Sequence, residues 1–145
     1  EAEMAIKVDA DSNILSVFPI IELHNFVFRA PQKSLPELIA NNGLNRGLVS
    51  SAKSWQEPLE FYEKKLELSL EINGSEIDSG ELWPMEGGPT SSLHWLKNHL
   101  ADHDLKILPG NIILGGTALG LHKVQAGDRI DVKVGGEKAV NCFIK

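Results

Sequence analysis

Three carboxylates in the first 22 residues are placed to do chemistry together. Glu1 and Glu3 stand two apart in the run Glu1-Ala2-Glu3-Met4-Ala5-Ile6-Lys7-Val8, which has the character of a strand. Residues two apart on a strand share a face, so both carboxylates point one way and Ala2 and Met4 the other. Like charges side by side repel, and a cation bridging them removes that cost. Glu22 lies in the next apolar run, Val17 to Leu23, where an unpartnered carboxylate is expensive. It needs a metal ion, or else a pairing with His24 or Arg29. If the two runs pair, three carboxylates converge. Ligation by oxygen alone suits Mg²⁺, Mn²⁺ or Ca²⁺ rather than zinc.

The other chemically capable residues read more plainly. His99 and His103 have the i, i+4 spacing of helical zinc pairs, but no Glu follows His99 as that motif requires, so they read as a solvated face. Gly115-Gly116-Thr117-Ala118-Leu119-Gly120 lacks the Lys-Ser/Thr of a phosphate loop and reads as a tight turn. Trp55, Trp83 and Trp95 read as core or interface residues. The single cysteine, Cys142, allows no internal disulfide and no thiolate cluster. It sits in an alternating strand and reads as a buried structural thiol, which fits a reducing cytoplasm.

The elements that must position the acids are mostly strands. Leu66, Leu68, Leu70 and Ile72 alternate with Glu67, Ser69 and Glu71, the pattern of a half-buried strand with one wet face. Asn73-Gly74 is a favoured hairpin turn, and Ser75 to Ser79 forms the return. Ile130, Val132 and Val134 alternate with Asp131 and Lys133. Gly135-Gly136 then turns the chain into a closing strand, Ala139 to Ile144. Ile112 to Leu114 reads as a buried central strand. Two helices are expected. Ser34 to Asn41 has Ser34 as cap and Pro36 in its first turn; Thr90 to His103 is capped by Thr90 or Ser91. The result is a mainly β domain with one substantial helix.

Composition sets limits. At 145 residues the chain can form one domain with its own core. A net charge of −6 and the lack of a basic stripe argue against a nucleic-acid partner. No apolar run is long enough to span a membrane as a helix.

Five pieces in a fixed order resemble the fumarylacetoacetate hydrolase superfamily. They are Glu1-Ala2-Glu3, Pro19-Ile20-Ile21-Glu22, Gly87-Gly88-Pro89 leading into Leu93 to Asn98, Leu108 to Thr117, and Gly127-Asp128 before a terminal hairpin. The resemblance covers residues 1 to 145 and is greatest to the branch of 2-keto-4-pentenoate hydratase and 4-oxalocrotonate decarboxylase. It implies mixed β-sheets rolled into a barrel-like sandwich. It also implies Mg²⁺ (or Mn²⁺ or Ca²⁺) held by Glu1, Glu3 and Glu22, a small 2-keto acid as ligand, and a homo-oligomer. Thr117 and Asn42 match positions near the substrate, and Arg46 is a further candidate for its carboxylate. The activity implied is that of a metal-dependent lyase, hydratase or decarboxylase in type, on unsaturated 2-keto acids from aromatic catabolism. The alternatives are an acylpyruvate-type hydrolase, or a non-catalytic domain that binds 2-keto acids or supports an oligomer. The family's acid/base lysine lies in a region upstream of the Glu-x-Glu strand, so no catalytic residue is assigned. The chain is expected to be a fragment: one domain, 1–145, without that N-terminal region.

Overall fold

The Glu-x-Glu run does form a strand and does pair with the run that contains Glu22. The computed structural model describes residues 1–25, 34–56 and 64–145. Strands β1 (Ala2–Val8) and β2 (Ile14–His24) are antiparallel, with Ala2 opposite Ile21 and Glu3 opposite Ile20. Strand β3 (Asn45–Ser50) pairs with the far end of β2, and β6 (Ile112–Leu114) with β1. These make a sheet of order β3-β2-β1-β6. The second sheet has the order β5-β4-β7-β8, from β4 (Glu67–Ile72), β5 (Ser75–Glu81), β7 (Arg129–Val134) and β8 (Glu137–Phe143). Every pairing among the described residues is antiparallel.

The core lies between the sheets. Ala2, Met4, Ile6 and Val8 of β1 cluster with Leu68, Leu70, Val132 and Val140 of the second sheet. The opposite face of β1 is buried too: Ala5 packs with Phe18 and Ile20. Glu1 and Glu3 belong to this second face. Pro19 is tolerated in β2 because it faces Met4, whose carbonyl accepts from Gly115 on its other side. The proline therefore removes no bond between β1 and β2.

Two expected elements differ from the observed ones. Strand β6 is an edge, not a central strand, and Ile112 is exposed. A short apolar run cannot distinguish the two. The wet face of β4 is largely covered. Ser69 is buried, and Glu71 pairs with Lys133 across the ladder. Beside them Asp131 is buried under Arg129 and Lys138, at 3.0 and 2.9 Å.

Helix α1 (Leu35–Ala40) has the expected Ser34 cap, completed by Glu37 as a capping box. Helix α2 (Gly88–Ala101) starts earlier than expected. Its cap is Gly87 at φ 82°, not Thr90 or Ser91, and Pro89 occupies its first turn. Leu93 is its buried anchor, while Trp95 is exposed and stacks on His99. Cys142 is only half-buried.

Gly115, which follows β6, is pressed between the sheet and Trp83. Its N–H donates to the Met4 carbonyl, so its backbone cannot retreat. A Cβ there would lie 2.6 Å from a Trp83 ring carbon and 3.0 Å from the Met4 carbonyl oxygen. Gly115→Ala is expected to cost about 1–3 kcal/mol through overpacking, read as a lower denaturation midpoint. An unchanged midpoint would mean that the Trp83 ring moves aside freely.

Candidate metal centre

The site is assembled by strand register. The β1–β2 ladder continues one residue beyond β1, with the Glu22 N–H donating to the Glu1 carbonyl at 2.9 Å. Directly opposed residues share a face, so Glu1 and Glu22 are neighbours. Glu3 is one step along β1 on that face, and His24 one step along β2. The distances agree. His24 Nε2 is 3.4 Å from a Glu1 carboxylate oxygen and 3.5 Å from a Glu22 oxygen. Ligand atoms of Glu1, Glu22 and His24 all lie within 4.8 Å of one another.

Glu3 stands behind this triangle. It is 3 % exposed, and the Gly116 N–H donates to it. Burial and a hydrogen bond with Glu22 push its carboxyl up to about 8, although the Gly116 N–H pulls the other way. Two carboxyl groups hydrogen-bond to each other only if one keeps a proton. Glu22 is also held by Asn45, whose side-chain N–H donates to it at 2.6 Å. Asn45 opens β3, just after a turn in which Asn42, Gly43 and Leu44 all have positive φ, 52°, 63° and 70°. For leucine that conformation is a true outlier. The turn delivers the Asn45 side chain to the acids.

The expected residues are thus placed as follows. Glu1, Glu3 and Glu22 come together. Of the two pairing partners considered for Glu22, His24 is present and Arg29 lies outside the described residues. Asn42 is exposed on the turn, and the asparagine that reaches the acids is Asn45. Arg46 is exposed. Thr117 follows Gly116 in the chain, but its hydroxyl is engaged locally, accepting the Leu119 N–H at 3.0 Å.

A cavity of about 510 Å³ opens beside the triangle. Glu1, Glu22 and His24 line one part of it, Leu70, Ile72 and Ile130 give apolar wall, and His122 and Lys123 add two more protonable groups. His122 Nε2 contacts Asp78 at 2.8 Å. The Gly120 N–H and His122 hold Asp78 below the usual carboxylate range. Neither His122 nor Asp78 carries a sequence motif. Their only signal is spatial, since the loop after β6 folds back onto β5.

The donor set suits a hard divalent cation. Carboxylate oxygens of Glu1 and Glu22 lie within 4.8 Å of each other and of a His24 ring nitrogen, with the Glu3 carboxyl bonded to Glu22 behind them, and a cation of this class takes carboxylate oxygens. Solved structures supply the context. The chain superposes over its full length on 4-oxalocrotonate decarboxylase from Pseudomonas putida G7, complexed with magnesium and adipate, at a TM-score of 0.87 and 22% identity over 59% of that chain. A fumarylacetoacetate hydrolase family protein from Yersinia pestis CO92 also superposes on the full chain, at a TM-score of 0.54 and 19% identity over 72% of its own length. The fold is that of the fumarylacetoacetate hydrolase superfamily. A curated relative fits the same branch of that superfamily: the 2-oxo-hept-4-ene-1,7-dioate hydratase of Escherichia coli, 26% identical over 133 residues. That match covers 87% of this chain and 49% of the relative, so the chain spans about half the length of the curated protein it matches. No family model matches. The sandwich of strands with one substantial helix agrees with the superfamily fold, as the order of sequence pieces implied.

Proposed function

We propose that residues 1–145 form the metal-binding domain of a lyase that acts on unsaturated 2-oxo acids by hydration or decarboxylation. One observation carries the reading: Glu1 and Glu22 converge on the wall of an otherwise largely apolar cavity, with Glu3 bonded to Glu22 behind them. The fold and the hydratase and decarboxylase relatives support it. In this reading Glu1, Glu3 and Glu22 hold Mg²⁺, with Mn²⁺ or Ca²⁺ as substitutes. The cation supplies positive charge against a substrate carboxylate and its neighbouring 2-oxo oxygen, where negative charge grows during reaction. Asn45 fixes the orientation of Glu22, and the Gly116 N–H fixes Glu3. The apolar wall accepts the unsaturated carbon chain and excludes water from it. His122, held by Asp78, and Lys123 add polar groups to that wall that can hydrogen-bond the far end of the substrate. The reading also includes a homo-oligomer, for which the exposed Trp95, Leu105 and Leu108 provide apolar surface.

Calorimetry with oxalate, a compact mimic of a 2-oxo acid, tests the reading. Oxalate is expected to bind in the presence of Mg²⁺ and not in EDTA. Binding that ignores Mg²⁺, or no binding at all, would sink it. Turnover of 2-hydroxypenta-2,4-dienoate by these 145 residues is expected to be very slow, because the family's acid/base lysine belongs to a region outside them. Brisk turnover would instead assign the acid/base role to groups such as His122 or Lys123.

A further inference from the structure

The histidine beside the acids is not explained by hydrogen bonding. The His24 side chain is about nine-tenths buried, at 10 % exposure. Its Nδ1 is buried without a hydrogen-bond partner among the described residues. Its Nε2 points between Glu1 and Glu22, at 3.4 and 3.5 Å. Both separations exceed the ~2.7–3.2 Å of an N–H···O bond, and they are nearly equal. The ring is buried, its Nδ1 has no partner among the described residues, and its Nε2 stands between two carboxylates beyond hydrogen-bond length, where a shared ion fits. Ligand atoms of an octahedral ion bound at about 2.1 Å are roughly 3 Å apart along an edge and 4 Å apart across it. The triangle, all within 4.8 Å, needs only a slight contraction to match.

We infer that His24 Nε2 is a direct ligand of the bound cation, which makes the centre a mixed nitrogen and oxygen site. The inference rests on the metal-site reading above and sharpens it. An imidazole ligand shifts preference from Mg²⁺ toward transition ions such as Mn²⁺ or Co²⁺. Glu1, Glu22 and His24 present their ligand atoms to one point. Glu3, fixed by Gly116 behind them, completes the charge. The other histidines are placed differently. His122 is turned toward Asp78, and His94, His99 and His103 lie on or just after α2.

Pulsed electron paramagnetic resonance of the Mn²⁺-loaded chain tests this without measuring activity. The wild-type spectrum is expected to show the nitrogen modulation of a coordinated imidazole. His24→Gln is expected to lose that modulation and to bind Mn²⁺ roughly 100-fold more weakly, beyond what loss of a merely orienting residue costs. His122→Gln is expected to keep it. If His24→Gln does not fold, the wild-type and His122→Gln spectra still decide the matter. Bound Mn²⁺ without nitrogen modulation, or modulation lost in His122→Gln, would overturn the histidine ligand and leave the carboxylate site standing. No Mn²⁺ binding at all would overturn both.

Discussion

Glu22→Ala is expected to abolish divalent-cation binding while leaving the metal-free chain folded and little changed in stability. Glu22 is the hub of the cluster: it contacts Glu3, His24 and Asn45. Residues that merely orient a metal ligand typically contribute 10–100-fold in affinity, so loss of a ligand itself should exceed ~100-fold. Glu22→Gln should be nearly as damaging, because what the ion loses is charge rather than volume. Asn45→Ala should cost about 10-fold, through a misoriented Glu22. The stability half of the prediction separates a metal ligand from a structural acid. Breaking a genuine buried ion pair destabilises a fold, because it strands a charge. Here truncation gives up the hydrogen bonds to Glu3 and Asn45 but also removes a carboxylate from beside two others, Glu1 and Glu3, so the two effects offset. Calorimetric titration with Mg²⁺ and Mn²⁺, beside thermal melts in EDTA, reads both halves. Unchanged affinity removes Glu22 from the centre, and a large loss of metal-free stability makes it a structural residue.

The site was half legible in the sequence, and the reason is geometric. Glu1 and Glu3 declare themselves by a spacing of two, and Glu22 by being acidic within an apolar run. Strand periodicity then needs only one register to join them, and the observed register, with Glu1 opposite Glu22, is that one. Asn45 could not be read this way. Its place depends on three consecutive positive-φ residues, two of them not glycine, and no propensity predicts left-handed leucine. The family pattern pointed instead to Asn42, three residues earlier on the outside of the same turn. His122 and Asp78 were illegible because their meeting depends on a loop folding across 44 residues of sequence.

The same division runs through the fold. Hairpins marked by Asn73-Gly74 and Gly135-Gly136 appear where expected, since those pairs accept the positive φ their turns require. Errors concentrate where position in the sheet, not local pattern, decides burial. Ile112 to Leu114 is apolar enough for a central strand and is an edge. Glu71 and Asp131 look solvent-facing in an alternating pattern and are covered by Lys133, Arg129 and Lys138. Alternation records which residues share a face; it does not record what covers that face.

Without metal, the chain should lose stability as pH rises from about 5 toward 8 and beyond, and divalent cation should restore it most strongly at the alkaline end. The cause is Glu3, whose carboxyl in the folded chain is pushed up to about 8 from an ordinary 4.5. Between those values the folded chain holds a proton that the unfolded chain has released. Stability then falls with rising pH, because the unfolded state binds fewer protons. The dependence is flat below about 4.5 and complete once pH has passed about 8. A divalent ion replaces that proton with a stronger positive charge. It also binds only the folded state, adding stability in proportion to RT ln(1 + [L]/Kd). Because the proton competes for the same carboxylates, the ion's contribution grows with pH. Thermal melts in EDTA and in Mg²⁺, from about pH 5.5 to pH 8.5, should therefore diverge as pH increases. Glu3→Gln, a permanent mimic of the protonated acid, should flatten the EDTA series while keeping its low-pH stability. It assigns the pH dependence to the Glu3 carboxyl itself. A flat EDTA series in the wild type would mean that Glu3 is ionised in the empty site, with its charge already balanced by something other than a proton.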